Sequence, residues 1–102
     1  MPVCLLTYDY VEDILERRAP HRDAHLAHIR EFSARRGLVV AGAVGDPPSG
    51  GVFAFESDAE PAAEAEAFAA ADPYVRAGLV ASRRIEPWNL VANTWKPDAG
   101  PE

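Results

Sequence analysis

Two side chains far apart in the sequence, His25 and Asp72, are of the types that general acid–base chemistry uses. A carboxylate that accepts a hydrogen bond from one imidazole nitrogen fixes the tautomer and raises the basicity of the other nitrogen. Arg22 lies one helical turn before His25, where it would hold an anionic substrate or stabilise developing negative charge. These three residues therefore predict a proton-transfer site if the fold brings them together.

Each of the three residues also has a purely structural interpretation. Asp72 precedes Pro73, and an aspartate before a proline at the first helical position is a good N-cap. His25 is compatible with a hydrogen-bonded core histidine, and Arg22 with a side chain that runs along the helix edge to solvent. On local chemistry alone the capping role of Asp72 is the stronger interpretation, so the catalytic one depends on the fold.

The histidines suggest a second kind of site, a metal site, but only weakly. His21, His25 and His28 are spaced i, i+4 and i+7, and two histidines one turn apart can share a metal ion. No acidic or cysteine ligand is placed by the sequence to complete such a site. We therefore predict no metal ligands and no cofactor.

Apolar runs and turn residues indicate four strands. They are predicted at 3–10, 38–44, 52–56 and 80–88, with a further short edge strand possible at 90–95.

Helical patterns lie between the strands and define the topology. The first helical region covers 12–36, with a kink at Ala19-Pro20, and the second ends at Asp72 with Asp58 as its N-cap. The resulting β-α-β-β-α-β order is that of the α+β ferredoxin-like fold. Its right-handed crossovers place both helices on one face of a four-stranded antiparallel sheet. Residues 1–95 are thus predicted to form one domain, and 96–102 a flexible tail.

This topology brings the two candidate residues to one place. Helical spacing puts His25 on the apolar face of the first main helix, which is the face that packs on the sheet. Because the two helices run antiparallel, the end of the second, at Asp72, lies beside the beginning of the first. We therefore expect one pocket for both, with the end of the first strand (8–10) as its wall.

The bulk composition excludes several classes of protein. The 102 residues carry a net charge of −6, whereas a nucleic-acid-binding protein needs a basic face, so we predict no nucleic-acid partner. No apolar run reaches membrane-spanning length, and the N-terminal apolar segment is too short for a signal peptide, so we expect no membrane partner and a cytoplasmic location. The single cysteine, Cys4, excludes an internal disulfide and is expected to be a buried, unreactive thiol.

The predicted fold leaves the second face of the sheet uncovered. The residues of that face are expected to be apolar, and soluble monomers rarely expose so large an apolar patch. We therefore predict a homodimer that packs sheet against sheet as a dimeric α+β barrel. Trp88, Trp95 or the segment Leu90-Val91 would help to seal it.

Several motifs resemble those of the YCII (YciI-like) family of small dimeric α+β-barrel proteins, over about residues 1–93. They are Arg22-Asp23-Ala24-His25-Leu26, Gly42-Ala43, Ala71-Asp72-Pro73-Tyr74-Val75 followed by Ala77-Gly78-Leu79, and Ile85-Glu86-Pro87-Trp88. The resemblance implies a ferredoxin-like dimer with a His–Asp active site, which maps onto His25 and Asp72. One branch that is similar in these motifs is a dehydrochlorinase acting on a chlorinated hydroxyhydroquinone.

Two functions from different classes follow. In the first, the protein is a cofactor-independent lyase or isomerase in which His25 is the general acid or base and Asp72 orients it. Arg22, Tyr74 and Tyr8 would bind a small anionic or phenolic substrate, and the reaction would be proton abstraction with elimination or isomerisation. In the alternative, the protein is a non-catalytic dimeric module that binds a small ligand or another protein.

Overall fold

A computed structural model of the chain describes residues 2–92. One sheet contains four strands, namely β1 (Val3–Tyr10), β2 (Leu38–Val44), β3 (Gly50–Glu56) and β4 (Val80–Pro87). The helices are α1 (Ile14–Arg17), α2 (Arg22–Arg35), α3 (Pro61–Ala71) and α4 (Pro73–Arg76), with a 3-10 turn at Ala19–His21 between α1 and α2. The predicted β-α-β-β-α-β order is confirmed, as are the helical turn before the kink at Ala19-Pro20 and the short helical turn that begins at Pro73. The predicted tail at 96–102 and residues 93–95 of the predicted edge strand lie outside the described residues; 90–92 form no strand.

The strands are ordered β2-β3-β1-β4 and all neighbouring pairs are antiparallel, which confirms the ferredoxin-like sheet. Cys4 and Leu6 of β1 pair with Phe55 and Phe53 of β3, and all four side chains belong to the core on the face that α2 and α3 cover. Alternate residues of β1 therefore point at the helices, and Tyr8 continues this set towards the end of the strand.

Small residues let α3 lie close to the sheet. Ala65, Phe68 and Ala69 are fully buried, and Phe68 supplies the only large apolar side chain of this helix. The Phe68 ring lies 5.0 Å from the Phe53 ring and 5.2 Å from the Phe32 ring of α2, measured between centroids. This cluster joins both helices to the sheet and fixes the end of α3 beside the start of α2.

Two predicted boundaries were wrong. The third strand begins at Gly50 rather than at Val52, because two glycines without side chains pair with the end of β1 beneath Tyr10. The N-cap of α3 is Glu60 rather than Asp58, because Pro61 takes the first helical position directly. The Ser57 hydroxyl accepts a hydrogen bond from the N–H of Ala59 and holds the preceding residues in a turn.

The uncovered face of the sheet is only partly apolar, in contrast to the prediction. Residues opposite one another in antiparallel strands share a face, so the register assigns side chains to it. Its β2–β3 side is apolar, and its β4 side is polar, with Ser82 donating a hydrogen bond to Asp9 (2.8 Å) and Arg84 paired with Glu86 (2.9 Å). The apolar side chains of this face are Leu5, Val40, Val44, Val52 and Ala54. Only this apolar half of the face therefore offers a surface suited to the predicted sheet-to-sheet dimer. Among residues 2–92, no helix has the length and apolar character needed to cross a membrane.

Candidate active site

Asp72 lies at the junction between α3 and α4. Its backbone is extended (φ −67°, ψ 124°) because Pro73 disfavours helical geometry in the residue before it. The carboxylate oxygen Oδ1 accepts a hydrogen bond from the backbone N–H of Tyr74 at 3.0 Å. The predicted capping role of Asp72 is therefore confirmed.

The same carboxylate also contacts His25, so the capping and pairing interpretations hold together. Nδ1 of His25 lies 2.7 Å from Oδ1 of Asp72, and the Tyr8 hydroxyl donates to Oδ2 at 2.7 Å. Asp72 is 0% exposed and His25 4% exposed. With the Tyr74 N–H, three donors converge on this buried carboxylate, and such donors are what allows a carboxylate to stay ionised away from water.

The hydrogen bond to Asp72 defines which nitrogen of His25 is free to react. An ionised carboxylate only accepts hydrogen bonds, so Nδ1 of His25 carries the proton. In the neutral ring Nε2 then holds the lone pair. The site thus has the arrangement of a general base oriented by a carboxylate.

Tyr74 fixes the plane of the imidazole. Its ring stacks on that of His25 with centroids 3.7 Å apart and planes 5° from parallel, while Phe53 meets the imidazole edge-on at 6.3 Å. The Tyr74 hydroxyl is buried and has no hydrogen-bond partner in the described part of the chain. The structure therefore gives the Tyr74 ring a positioning contact with His25, which the sequence did not indicate.

A cavity of about 270 Å³ opens beside His25 between α2 and the sheet. Arg22 and Tyr74 of the predicted site also line it, whereas Tyr8 does not. The cavity is lined by Tyr10, Arg18, Arg22, His25, Leu26, Ile29, Ala41, Gly42, Ala43, Phe53 and Tyr74. Four of the five predicted site residues, His25, Asp72, Arg22 and Tyr74, thus lie in or directly behind one wall.

Tyr8 was predicted to bind the substrate, but in the structure its hydroxyl contacts Asp72 instead. It is 0% exposed, and its hydroxyl is used by Asp72. Burial raises the pKa of Tyr8 well above its ordinary value, and the adjacent negative charge of Asp72 raises it further. Tyr8 therefore stays a neutral donor that stabilises the carboxylate, which makes it a positioning residue.

Sequence reasoning placed Tyr10 in the pocket wall as part of 8–10, which the structure confirms, but it missed Arg18. Tyr10 carries a detectable signal, because it follows Tyr8 by two residues and must share its face of the sheet. Arg18 precedes Arg22 by four residues, but the turn around Pro20 interrupts the helix between them and hides that spacing.

His25 and His28 of the histidine triplet make separate contacts. Nδ1 of His25 bonds to Asp72, while Nε2 of His28 donates to the carbonyl oxygen of Phe68 at 2.8 Å and joins α2 to α3. Among residues 2–92 no group of three or more His, Cys, Asp or Glu side chains is arranged to hold a metal ion. The i, i+4, i+7 spacing therefore does not correspond to a shared site in this part of the chain.

The half-buried phenol of Tyr10 predicts a loss of stability at alkaline pH. Burial raises the pKa of Tyr10 to about 12, and the nearby Tyr74 and Asp72 add to this effect. A raised folded-state pKa contributes stability that is complete below the unfolded pKa of about 10 and is lost as the pH rises through about 12. We expect this single group to account for a loss of about 2–3 kcal/mol over that interval.

Urea unfolding at pH 9 and pH 12 measures this loss. Tyr10→Phe should lose about 2–3 kcal/mol less than the wild type between the two pH values. The remaining loss is expected to belong to the other two groups whose pKa burial raises, the Tyr8 phenol and the Cys4 thiol. Identical losses in wild type and Tyr10→Phe would show that Tyr10 titrates in the folded protein as it does in the unfolded chain.

Comparison with known proteins found one matching family model and several solved structures with a similar fold. The sequence model of the YCII-related domain matches residues 1–89. No curated protein matches the chain.

Among solved structures, the chain is similar to 5-chloro-2-hydroxyhydroquinone dehydrochlorinase (TftG) from Burkholderia phenoliruptrix AC1100, in complex with 2,5-dihydroxybenzoquinone. The TM-score is 0.69 with 24% identity, covering 85% of this chain and 93% of that one. A NIPSNAP domain protein from Burkholderia xenovorans has a TM-score of 0.55 and 20% identity, over 90% and 96% of the two chains. A protein of unknown function from Nitrosomonas europaea has a TM-score of 0.57 and 23% identity, over 90% of each chain. At these identities the likeness establishes a shared fold.

Proposed function

The chain belongs to the YCII-related domain family, and on that premise we propose that it is a small-molecule enzyme whose His25–Asp72 pair performs general acid–base catalysis. The reaction class is a lyase-type elimination, such as dehydrochlorination, or an isomerisation, on a small anionic or phenolic compound. One observation carries the proposal: a buried imidazole is held through Nδ1 by a carboxylate at 2.7 Å while its ring lines a cavity.

The proposed chemistry begins with proton abstraction by His25. Nε2 takes a proton from a carbon or oxygen of the substrate, and Asp72 stabilises the imidazolium that forms. Tyr8 and the N–H of Tyr74 keep the negative charge on Asp72, so the proton stays on the imidazole. Arg22, at the cavity wall, stabilises the negative charge that the substrate acquires.

The electron pair of the broken bond then has two destinations. In an elimination it forms a new double bond while the leaving group departs with its own bonding pair, as chloride does in a dehydrochlorination. In an isomerisation the imidazolium returns the proton to a different atom of the substrate. Both routes regenerate the neutral imidazole, the first after the proton is released to solvent.

The size of the cavity supports a substrate with a single ring. Its volume of about 270 Å³ lies just below the usual range for small-molecule sites, about 300–1,000 Å³. TftG, which shares the fold, acts on a chlorinated hydroxyhydroquinone and was crystallised with 2,5-dihydroxybenzoquinone. Chlorinated di- and trihydroxybenzenes are therefore the first compounds to test.

A substrate screen in D2O tests the proposal directly. Chloride release would identify an elimination, and incorporation of deuterium into recovered substrate without chloride release would identify proton abstraction with return. Saturable binding of these compounds with neither result would contradict the enzyme assignment and favour the ligand-binding module.

We also propose that the protein is a homodimer formed through the apolar half of the uncovered sheet face, which contains Val52. Light scattering at micromolar concentration should give twice the mass of the chain. Val52→Lys places a charge at the centre of the apolar half and should dissociate the dimer. Ala34→Lys, on the exposed side of α2, is the matched control and should leave the mass unchanged. A wild-type monomer at that concentration would contradict this architecture.

A further inference from the structure

The wall of the cavity changes in character from the turn before α2 to the middle of that helix. Arg18 and Arg22 occupy one end, His25 follows, and the apolar side chains of Leu26 and Ile29 form the remainder. From Arg22 to Ile29 the helix rises by about 10 Å, which is the length of a small aromatic compound with one substituent. His25 therefore lies between a cationic end and an apolar end of the same cavity.

The opposite wall has no charge of its own. It consists of short side chains of β2, including Ala41 and Ala43, and of the Phe53 ring of β3. Such a surface accepts the face or edge of an apolar ring and offers no partner for a polar group. The only charged side chains among the described residues of the lining are thus the two arginines, with His25 as the titratable group between them and the apolar end.

The two guanidinium groups form no salt bridge with an acidic side chain among residues 2–92, whereas several arginines outside the cavity do. Arg17 pairs with Asp13 at 3.6 Å, for instance, and Arg36 pairs with Glu64 at 2.6 Å. Arg18 and Arg22 instead face Tyr10, whose pKa their positive charge lowers, opposing part of the effect of burial. Two unpaired cations at a cavity are notable in a chain whose net charge is −6.

We infer that the cavity binds amphipathic monoanions, with Arg18, Arg22 and the Tyr10 hydroxyl holding an oxyanion and the apolar end holding the body of the ligand. Arg18 is then a specificity-determining residue. Guanidinium groups bind carboxylates and phenolates through charge-assisted hydrogen bonds that a neutral group of the same shape cannot replace.

The inference also orients the substrate of the proposed reaction, and in this respect it rests on the proposed function. With the oxyanion at the arginines and the body near Ile29, His25 lies beside the atoms between them. The hydrogen that His25 removes is therefore on the part of the ring or chain next to the anionic group. Negative charge that develops there is shared with the oxyanion held by the arginines.

Benzoate and benzamide are suitable probes, because they differ in charge and hardly in shape. In NMR titrations of the full-length ¹⁵N-labelled protein, benzoate should bind about tenfold more tightly than benzamide. The amide shifts should lie in 22–29 and 41–43. Arg18→Gln should weaken benzoate binding about tenfold and leave benzamide binding unchanged, which removes the preference. Arg17→Gln, which changes the neighbouring arginine outside the cavity, is the matched control and should leave both affinities unchanged.

Equal affinities for the two probes, or equal effects of Arg17→Gln and Arg18→Gln, would overturn the inference. His25→Asn separates this result from the proposed function, because benzoate binding should survive the loss of the base. Benzoate binding that depends on Arg18 in a protein without any turnover would support the inference and contradict the enzyme assignment. Turnover of an anionic substrate with an unchanged KM in Arg18→Gln would contradict the inference and support the enzyme assignment.

Discussion

Replacing Asp72 with alanine is expected to lower the free energy of unfolding by about 3–5 kcal/mol. The change removes the acceptor for three buried donors at once, namely Nδ1 of His25, the Tyr8 hydroxyl and the N–H of Tyr74. Each donor left buried without a partner costs about 1–3 kcal/mol, and the loss of the N-cap is part of the same change. A residue that served only as a helix cap would cost about 1 kcal/mol.

Urea unfolding followed by circular dichroism measures this difference. Asp58→Ala is a matched control, because Asp58 is an exposed aspartate before α3 and its removal should change the free energy by less than about 0.5 kcal/mol. The loss of unfolding free energy in Asp72→Asn should lie between those of Asp58→Ala and Asp72→Ala. Its amide oxygen still accepts a hydrogen bond from the N–H of Tyr74, while its NH2 group faces the Tyr8 hydroxyl, which is also a donor. A loss of about 1 kcal/mol in Asp72→Ala would show that the hydrogen bonds to His25 and Tyr8 contribute little to stability.

The dual contact of Asp72 explains why its two interpretations were hard to separate by sequence. The extended backbone that Pro73 imposes ends α3, starts α4 and turns the carboxylate into the interior. Once it is buried there, the carboxylate requires donors, and the only nearby helix that can supply an imidazole is α2. The position that lets Asp72 cap α4 thus also places its carboxylate within hydrogen-bonding distance of His25.

The topology and the meeting of His25 with Asp72 could be predicted because strong local signals mark the ends of the elements. Gly37 (φ 82°) follows α2 and Gly78 (φ 76°) follows α4, and both adopt backbone conformations that other residues avoid. The right-handed crossover then decides which helix ends meet. Turn residues and crossover handedness depend little on side-chain packing, so the sequence was sufficient to predict the fold.

The remaining features of the site depend on which way side chains face. β1 is apolar on both of its alternating sets, so the sequence does not reveal that Tyr8 points at Asp72 while Asp9 points to the opposite face. The 3-10 turn before α2 likewise shifts the angular position of Arg18 relative to Arg22 by an amount that helical periodicity cannot supply. The apolar character of the uncovered face was overestimated for a related reason, since β4 places Arg84 on it.

His25→Asn is expected to lower kcat/KM by a factor of about 10²–10⁴ on the substrate that the screen in D2O identifies. The asparagine side chain can keep a donor near the position of Nδ1, so the hydrogen bond to Asp72 survives. It has no group at the position of Nε2, and the base is lost. Stability should fall by no more than about 2 kcal/mol, mainly through the lost stacking on Tyr74.

His28→Gln is the matched control for this variant. His28 lies on the same helix, is half-buried and donates through Nε2 to the carbonyl of Phe68, a contact that a glutamine amide can reproduce. Its turnover should equal that of the wild type, because His28 is absent from the cavity wall. Equal turnover in His25→Asn and the wild type would remove His25 from the mechanism, since no other histidine among the described residues lines the cavity. A loss shared by both histidine variants would instead indicate that the packing of α2, rather than a base at Nε2, limits the reaction.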